Sequence, residues 1–174
     1  MTALQATATG LWGPLSRLGL GVAATTFAID QAHKFWMIWV YDIASKGRVA
    51  VTPFLDLIYM LNPGISYSLL ELSGPLGQGL LAAFAGLVAL AIVYWLARTG
   101  SRLSALSLGL VMGGALGNAL DRLTLGGVAD FFSLHAFGFY WYVFNLADVA
   151  IVAGVVGLLY ESLIGSRKTA ANGP

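Results

Sequence analysis

The sequence predicts an all-α membrane protein of four transmembrane helices with a small extracytoplasmic β-like platform at the membrane surface. Three observations carry this. Of 174 residues, 58% are hydrophobic and only 10% are charged, whereas a soluble domain carries roughly a quarter charged residues. Apolar stretches recur near the length of about 20 residues that a helix needs to cross a hydrocarbon core of ~30 Å. Basic residues gather at alternate ends of those stretches.

The first span, about 15–36, is the least regular. Its clean apolar run, 18–29, reaches spanning length only by extension past Arg17 or through Phe35-Trp36-Met37. The run ends in Asp30-Gln31-Ala32-His33-Lys34 rather than in the small residues of a cleavage site, so it reads as a retained span. The second span, 76–97, has Gln78 as its only strongly polar side chain and Pro75 at its first turn, a position proline favours. The third, 103–121, is interrupted by Ser104, Ser107 and Asn118; the fourth, 145–164, has Asp148 near its start and Glu161 near its end. Two longer connections remain, about 35–75 and 122–144. Residues 49–61 are apolar and partly β-branched, which fits a short sheet or platform. Residues 137–144 hold six aromatics in eight positions, a composition suited to the headgroup region. No repeat or linker divides residues 1–174, which read as a single integral-membrane domain; 167–174 reads as a frayed tail.

Arg17, Arg98, Arg102, Arg167 and Lys168 fall on one side of a four-span chain. The positive-inside bias puts that side in the cytoplasm, with both termini. The opposite side holds seven of the eight acidic residues: Asp30, Asp42, Asp56, Glu71, Asp121, Asp130 and Asp148. A net charge of +1 implies no nucleic-acid partner. The absence of cysteine removes disulfides, thiol nucleophiles and thiolate metal sites. His33 and His135 lack a metal-ligand spacing, and no metal or cofactor is expected.

An acid on membrane-embedded structure is costly and usually functional. Asp130 and Asp148 lie close in sequence at one margin, and two carboxylates sharing a proton can cleave a peptide bond. Other polar residues map to the same face. Asn118, Asp121 and Arg122 stand at i, i+3 and i+4 on one helix face, and Asp30 and Lys34 are spaced to pair. Asn62 lies in Asn62-Pro63-Gly64, which is turn chemistry first. Plainer readings exist for each. Asn145 and Asp148 suit a helix N-cap and a first-turn acid, Asp121 and Arg122 suit a structural ion pair, Asp30 and Lys34 an interfacial anchor. Gly113, Gly114 and Gly117 suit close helix packing.

Five pieces in order narrow the choice: Asp30-Gln31-Ala32-His33-Lys34, Asn62-Pro63-Gly64-Ile65-Ser66-Tyr67-Ser68, Gly117-Asn118-Ala119-Leu120-Asp121-Arg122, Val128-Ala129-Asp130-Phe131 and Phe144-Asn145-Leu146-Ala147-Asp148. Over about residues 15–165 the chain resembles the lipoprotein signal peptidase (signal peptidase II) family. The resemblance implies an aspartic protease of the bacterial plasma (inner) membrane that removes the signal peptide from prolipoproteins after lipid attachment to the lipobox cysteine. It implies that Asp130 and Asp148 are catalytic and that Asn62, Asn118, Arg122 and Asn145 surround them, with Asp30, Lys34 and Gly114 in supporting roles. The implied partners are the lipid-modified prolipoprotein and membrane lipid. Pro63 and Tyr67 depart from the residues more usual in the family and leave the chemistry untouched.

The residues independently favour this chemistry. There is no Gly-X-Ser-X-Gly, neither histidine falls inside a clean span, and cysteine is absent. Two aspartates at close range cannot both ionise easily; the charged one takes a proton from water and the other donates to the scissile carbonyl. A proton-coupled transporter and a non-catalytic scaffold are the alternatives.

Overall fold

The structure, a computed structural model, describes residues 10, 12–64 and 74–171, with side chains up to residue 163. Residues 65–68 of the second motif, Glu71, and the Arg167 and Lys168 side chains lie outside what is described. The chain runs α1 (Ser16–Phe35), a π-helical turn (Trp36–Val40), α2 (Ile43–Lys46), β1 (Val49–Thr52), β2 (Leu55–Asn62), α3 (Pro75–Leu96), α4 (Arg102–Leu125), β3 (Val128–Ala136), β4 (Phe139–Phe144) and α5 (Leu146–Ala171).

Among the described residues, three helices are long and apolar enough to cross a membrane: Pro75–Leu96, Arg102–Leu125 and Leu146–Leu163. The expectation was four. Helix α1 has the length, 20 residues, but Arg17, Asp30 and Lys34 dilute its apolar character. Asp30 and Lys34 face neither lipid nor solvent; they are 1% and 2% exposed, turned into the bundle. Past Phe35 the π-helical turn exposes Trp36, Trp39 and Val40, side chains that suit a membrane–water boundary.

Helix α4 is the centre of the bundle and packs against α1, α3 and α5, whereas α3 and α5 hardly touch each other. Small residues permit this. A Cβ at Gly113 would lie 2.5 Å from the Ala23 carbonyl oxygen of α1, so the two backbones are in contact there. Leu96, Ala105, Leu108 and Met112 fill the core of the bundle. The outer faces of α3 and α5 stay apolar and exposed, with Leu80, Phe84, Leu87 and Leu90 on one and Val152, Val156, Leu159 and Leu163 on the other.

The protein is mostly helical but not all-α. A four-stranded antiparallel sheet, in the order β1-β2-β3-β4, closes one end of the bundle. The platform expected from 49–61 supplies β1 and β2; β4 comes from the stretch read as an aromatic belt, and β3 from the part of the 122–144 connection before it, for which no strand was expected. Ala136 pairs with Phe139 across a two-residue turn, and Phe137 and Gly138 both have positive φ, 51° and 82°. That is the geometry of a type I′ hairpin, built here on Phe-Gly instead of the Asn-Gly that advertises it. Phe131 and Ala129 pack on Met37 and Ile43, which seats the sheet on the helices.

One irregularity positions the site. The β2–β3 pairing slips between Leu57 and Met60, after which Met60 faces Asp130 and Asn62 faces Val128. Side chains two apart on a strand share a face, so Asn62 is the diagonal neighbour of Asp130.

Candidate functional site

The site is built in layers from the bundle towards the sheet. Lowest is a buried ionic cluster. The Lys34 ammonium lies 2.8 Å from Asp30 Oδ2 and 2.7 Å from Asp121 Oδ2 and donates to Asn118 Oδ1 at 3.1 Å. Its three hydrogens thus have three acceptors. The carboxylates are used further: Asp30 Oδ1 accepts from the Ala147 N–H at 3.0 Å and Asp121 Oδ2 from the Ala129 N–H at 3.1 Å. Gln31 donates to Asp30 Oδ2, Asp121 Oδ1 and the Gly117 carbonyl. One cluster therefore ties α1, α4, β3 and the first turn of α5, as buried charge requires.

An asparagine layer sits on it. Asn145, fully buried, donates through Nδ2 to Asp130 Oδ1 at 2.7 Å and to Asn118 Oδ1 at 3.2 Å. Its backbone N–H donates to Asp148 Oδ2 at 3.2 Å, and the Asp148 N–H donates to Asn145 Oδ1 at 3.0 Å. This reciprocal pair is a capping box, so the plain reading of Asn145 and Asp148 as a helix start holds alongside their place in the site. Asn118 Nδ2 donates to Asp148 Oδ1 at 2.9 Å, and Asn62 Nδ2 to Asp130 Oδ2 at 3.3 Å. All four carboxylate oxygens of Asp130 and Asp148 accept a hydrogen bond, and both acids are joined to Asn145.

Asp130 is 2% exposed. Burial first, and then the neighbouring Asp148 charge, push its carboxyl up to about 7, against the pull of the Asn145 and Asn62 hydrogen bonds. Such a group passes between its protonated and charged forms near neutral pH, so both the acid and the base form are accessible there.

Arg122 does not pair with Asp121, whose partner is Lys34. Its guanidinium donates to the carbonyls of Asn118 and Gly64, each at 3.1 Å, while Nε is buried with no hydrogen-bond partner among the described residues. The Gly64 bond pins the Asn62 turn from one side. From the other, Gln78 in the first turn of α3 donates to the Pro63 carbonyl at 2.6 Å. Gln31 stood in the first motif with no partner assigned to it, and the contact of Gln78 was not expected, although a lone glutamine in an otherwise apolar helix start was a visible signal.

Gly114 and Gly117 let the layers close. A Cβ at Gly114 would come 2.5 Å from the Ala147 carbonyl oxygen, and one at Gly117 2.5 Å from Asp30 Oδ2. Gly114→Val should push α5 off α4 beside Asp148 and cost about 1–3 kcal/mol, seen as a lower unfolding midpoint in detergent together with reduced turnover.

A cavity of about 390 Å³ opens above the acids. Asn62, Asn118, Arg122, Asp130 and Asp148 form its polar end; Phe84 and Val88 of α3, Val111 of α4 and Ile151 of α5 are among its apolar walls. It lies on α4, between the two helices that hardly touch. Every residue expected at the site is therefore on this network or packed directly beneath it.

Fold and site together describe a helical membrane protein with a buried acidic centre beneath a small sheet. Residues 22–164 match the family model for signal peptidase (SPase) II, and the chain belongs to that family. A lipoprotein signal peptidase of Methylocella silvestris is 50% identical over 156 residues, covering 90% of this chain and 91% of its own length. One from Rhodopseudomonas palustris is 48% identical over 159 residues, covering 89% and 97%. Two solved bacterial membrane enzymes share the fold, with TM-scores of 0.76 and 0.71 at 23% and 26% identity, covering 87% and 84% of this chain and 91% and 92% of theirs. Family membership favours neither the transporter nor the scaffold.

Proposed function

We propose that this chain removes the signal peptide from lipid-modified prolipoproteins by aspartic catalysis, with Asp130 and Asp148 as the acid–base pair. The observation that carries the reading is Asn145, which donates to both carboxylates while capping α5. The charged acid takes a proton from water, whose oxygen attacks the scissile carbonyl carbon. The protonated acid donates to the carbonyl oxygen. When the C–N bond breaks, the leaving nitrogen takes a proton from one acid while a hydroxyl of the tetrahedral intermediate returns its proton to the other, which reforms a carbonyl and restores the one shared proton. Asn62, Asn118 and Asn145 hold the two acids, and the Arg122 guanidinium, at the polar end of the cavity, is a donor for a substrate carbonyl. Asp30, Lys34 and Gly114 hold the helices beneath.

The apolar part of the cavity suits a signal helix and acyl chains arriving sideways from lipid. The test is a cleavage assay with purified protein on a lipidated prolipoprotein peptide; the expected product begins with the lipidated cysteine. No product would defeat the reading. The pH dependence has a definite sign. Asp130 is raised to about 7, so kcat should fall as pH rises through that region, where the pair loses its shared proton. The same shift makes the folded state bind more protons than the unfolded chain between about 4 and 7. This group's contribution to stability is present below its unfolded pKa and lost as pH rises through its folded one.

We infer a single integral-membrane domain in the bacterial inner membrane, with α1 as the fourth span, both termini cytoplasmic and the sheet extracytoplasmic. Arg17, Arg98 and Arg102 lie at helix ends away from the sheet, which supports this orientation. The chain has no native cysteine, so Phe137→Cys at the fully exposed hairpin turn gives a single label. It should react with an impermeant maleimide in intact cells. Labelling only after lysis would invert the topology.

A further inference from the structure

A second cavity, about 340 Å³, lies over the sheet. Its walls come from Arg48, β2, the Pro63 turn, β3 and β4, and among the described residues no helix residue lines it. It shares Asn62, Asp130, Tyr142 and Val143 with the cavity between the helices. Two compartments with different walls, one of helices and one of strands and turns, thus meet at one proposed catalytic acid. The first is walled by aliphatic and aromatic helix side chains. The second presents Arg48, Ser133, Tyr140 and Trp141 beside the apolar Met60, Leu61 and Pro63.

We propose that this sheet-side cavity is the subsite for the polar peptide that follows the lipidated cysteine, with Tyr140, Trp141 and Arg48 as its specificity-determining residues. The proposal rests on the function proposed above. Such a substrate is itself divided at the scissile bond. One side is an apolar helix, and the other is a cysteine whose lipid belongs in the bilayer, followed by a polar chain that must leave it. With the bond at Asp130, the apolar side matches the helix-walled cavity and the polar chain has the sheet-side one.

The walls are pre-organised, which limits the ordering cost of binding a flexible peptide. Arg48 Nη1 donates to Asp56 Oδ2 at 2.7 Å, and its guanidinium lies 5.3 Å from the centre of the Tyr140 ring. Tyr140 stacks on His135 at 4.9 Å, and His135 Nε2 lies 3.3 Å from Asp56 Oδ1. A guanidinium has five N–H donors, so Arg48 keeps donors for peptide carbonyls while bound to Asp56. Trp141 contacts Phe139 and Tyr142 edge-on or tilted and is half exposed, leaving ring surface for a passing chain.

The test compares two lipidated peptides, one ending just after the cysteine and one continuing for several residues. In the wild type, kcat/KM for the longer peptide should exceed that for the shorter by about fivefold, the scale of a modest subsite. Trp141→Ala and Tyr140→Ala should bring that ratio close to one, mainly through KM for the longer peptide. Equal cleavage of both peptides by the wild type overturns the proposal. So does a variant that lowers both peptides equally, since a merely structural defect does not distinguish them. Cleavage of neither peptide, or unchanged cleavage by Asp130→Asn, defeats the underlying aspartic reading and this subsite with it.

Discussion

Asp130→Asn and Asp148→Asn should each lower kcat for prolipoprotein cleavage by about 10²–10⁴-fold, with the protein still folded in the membrane. The amide is nearly isosteric with the acid but neither takes a proton from water nor shares one with its neighbour. The structural cost is smaller and can be located. Asp130 accepts from two amide groups, Asn145 at 2.7 Å and Asn62 at 3.3 Å. An asparagine at 130 keeps one acceptor, and the longer Asn62 bond is the one to go. At 148 the acceptors serve Asn118 Nδ2 and the Asn145 N–H, so one of those donors loses its partner. Either loss costs about 1–3 kcal/mol. A cleavage assay read alongside a detergent melting curve separates the effects. Turnover within tenfold of wild type in either variant would remove the acid pair from the mechanism.

The second large effect lies where no substrate reaches. Lys34→Met should destabilise the protein by about 3–5 kcal/mol, read as a large fall in the unfolding midpoint in detergent. Methionine fills much of the same volume but leaves Asp30 and Asp121 facing each other, buried, without the ammonium that lies 2.8 and 2.7 Å from them. Lys34→Arg should not rescue it, because a planar fork does not replace a compact three-way donor in a closed space. Adding Asp30→Asn and Asp121→Asn to Lys34→Met should recover much of the loss, since neutral groups avoid the uncompensated charge. If Lys34→Met melts like the wild type, the cluster is not what joins α1 to α4 and α5.

Much of this was legible in the chain, for identifiable reasons. Span lengths follow from hydropathy, and the observed bounds of α3, Pro75–Leu96, lie within one residue of those expected. The Asp30–Lys34 pair follows from helical spacing. The role of Asn145 as a cap was legible too, but its bond to Asp130 joins a helix start to a strand, and local spacing carries no information about that. The second half of the sheet was lost for a similar reason. Residues 128–136 are covered on both faces over much of their length, so they show no period-2 alternation, and the Phe-Gly turn carries no familiar hairpin sequence. Asp121 was matched to its sequence neighbour Arg122 because adjacency is visible and the third dimension is not; Lys34, 87 positions away, is its partner.

The double duty of the Asn145–Asp148 helix start limits how the enzyme can be hardened. Engineers gain thermal tolerance by choosing better residues at helix beginnings, and serine or threonine would be ordinary candidates at 145. Here any such exchange would also remove the amide that reaches Asp130. Resistance to heat must therefore be sought elsewhere in the molecule, because at this corner the residue that begins a helix is also the one that sets the tool.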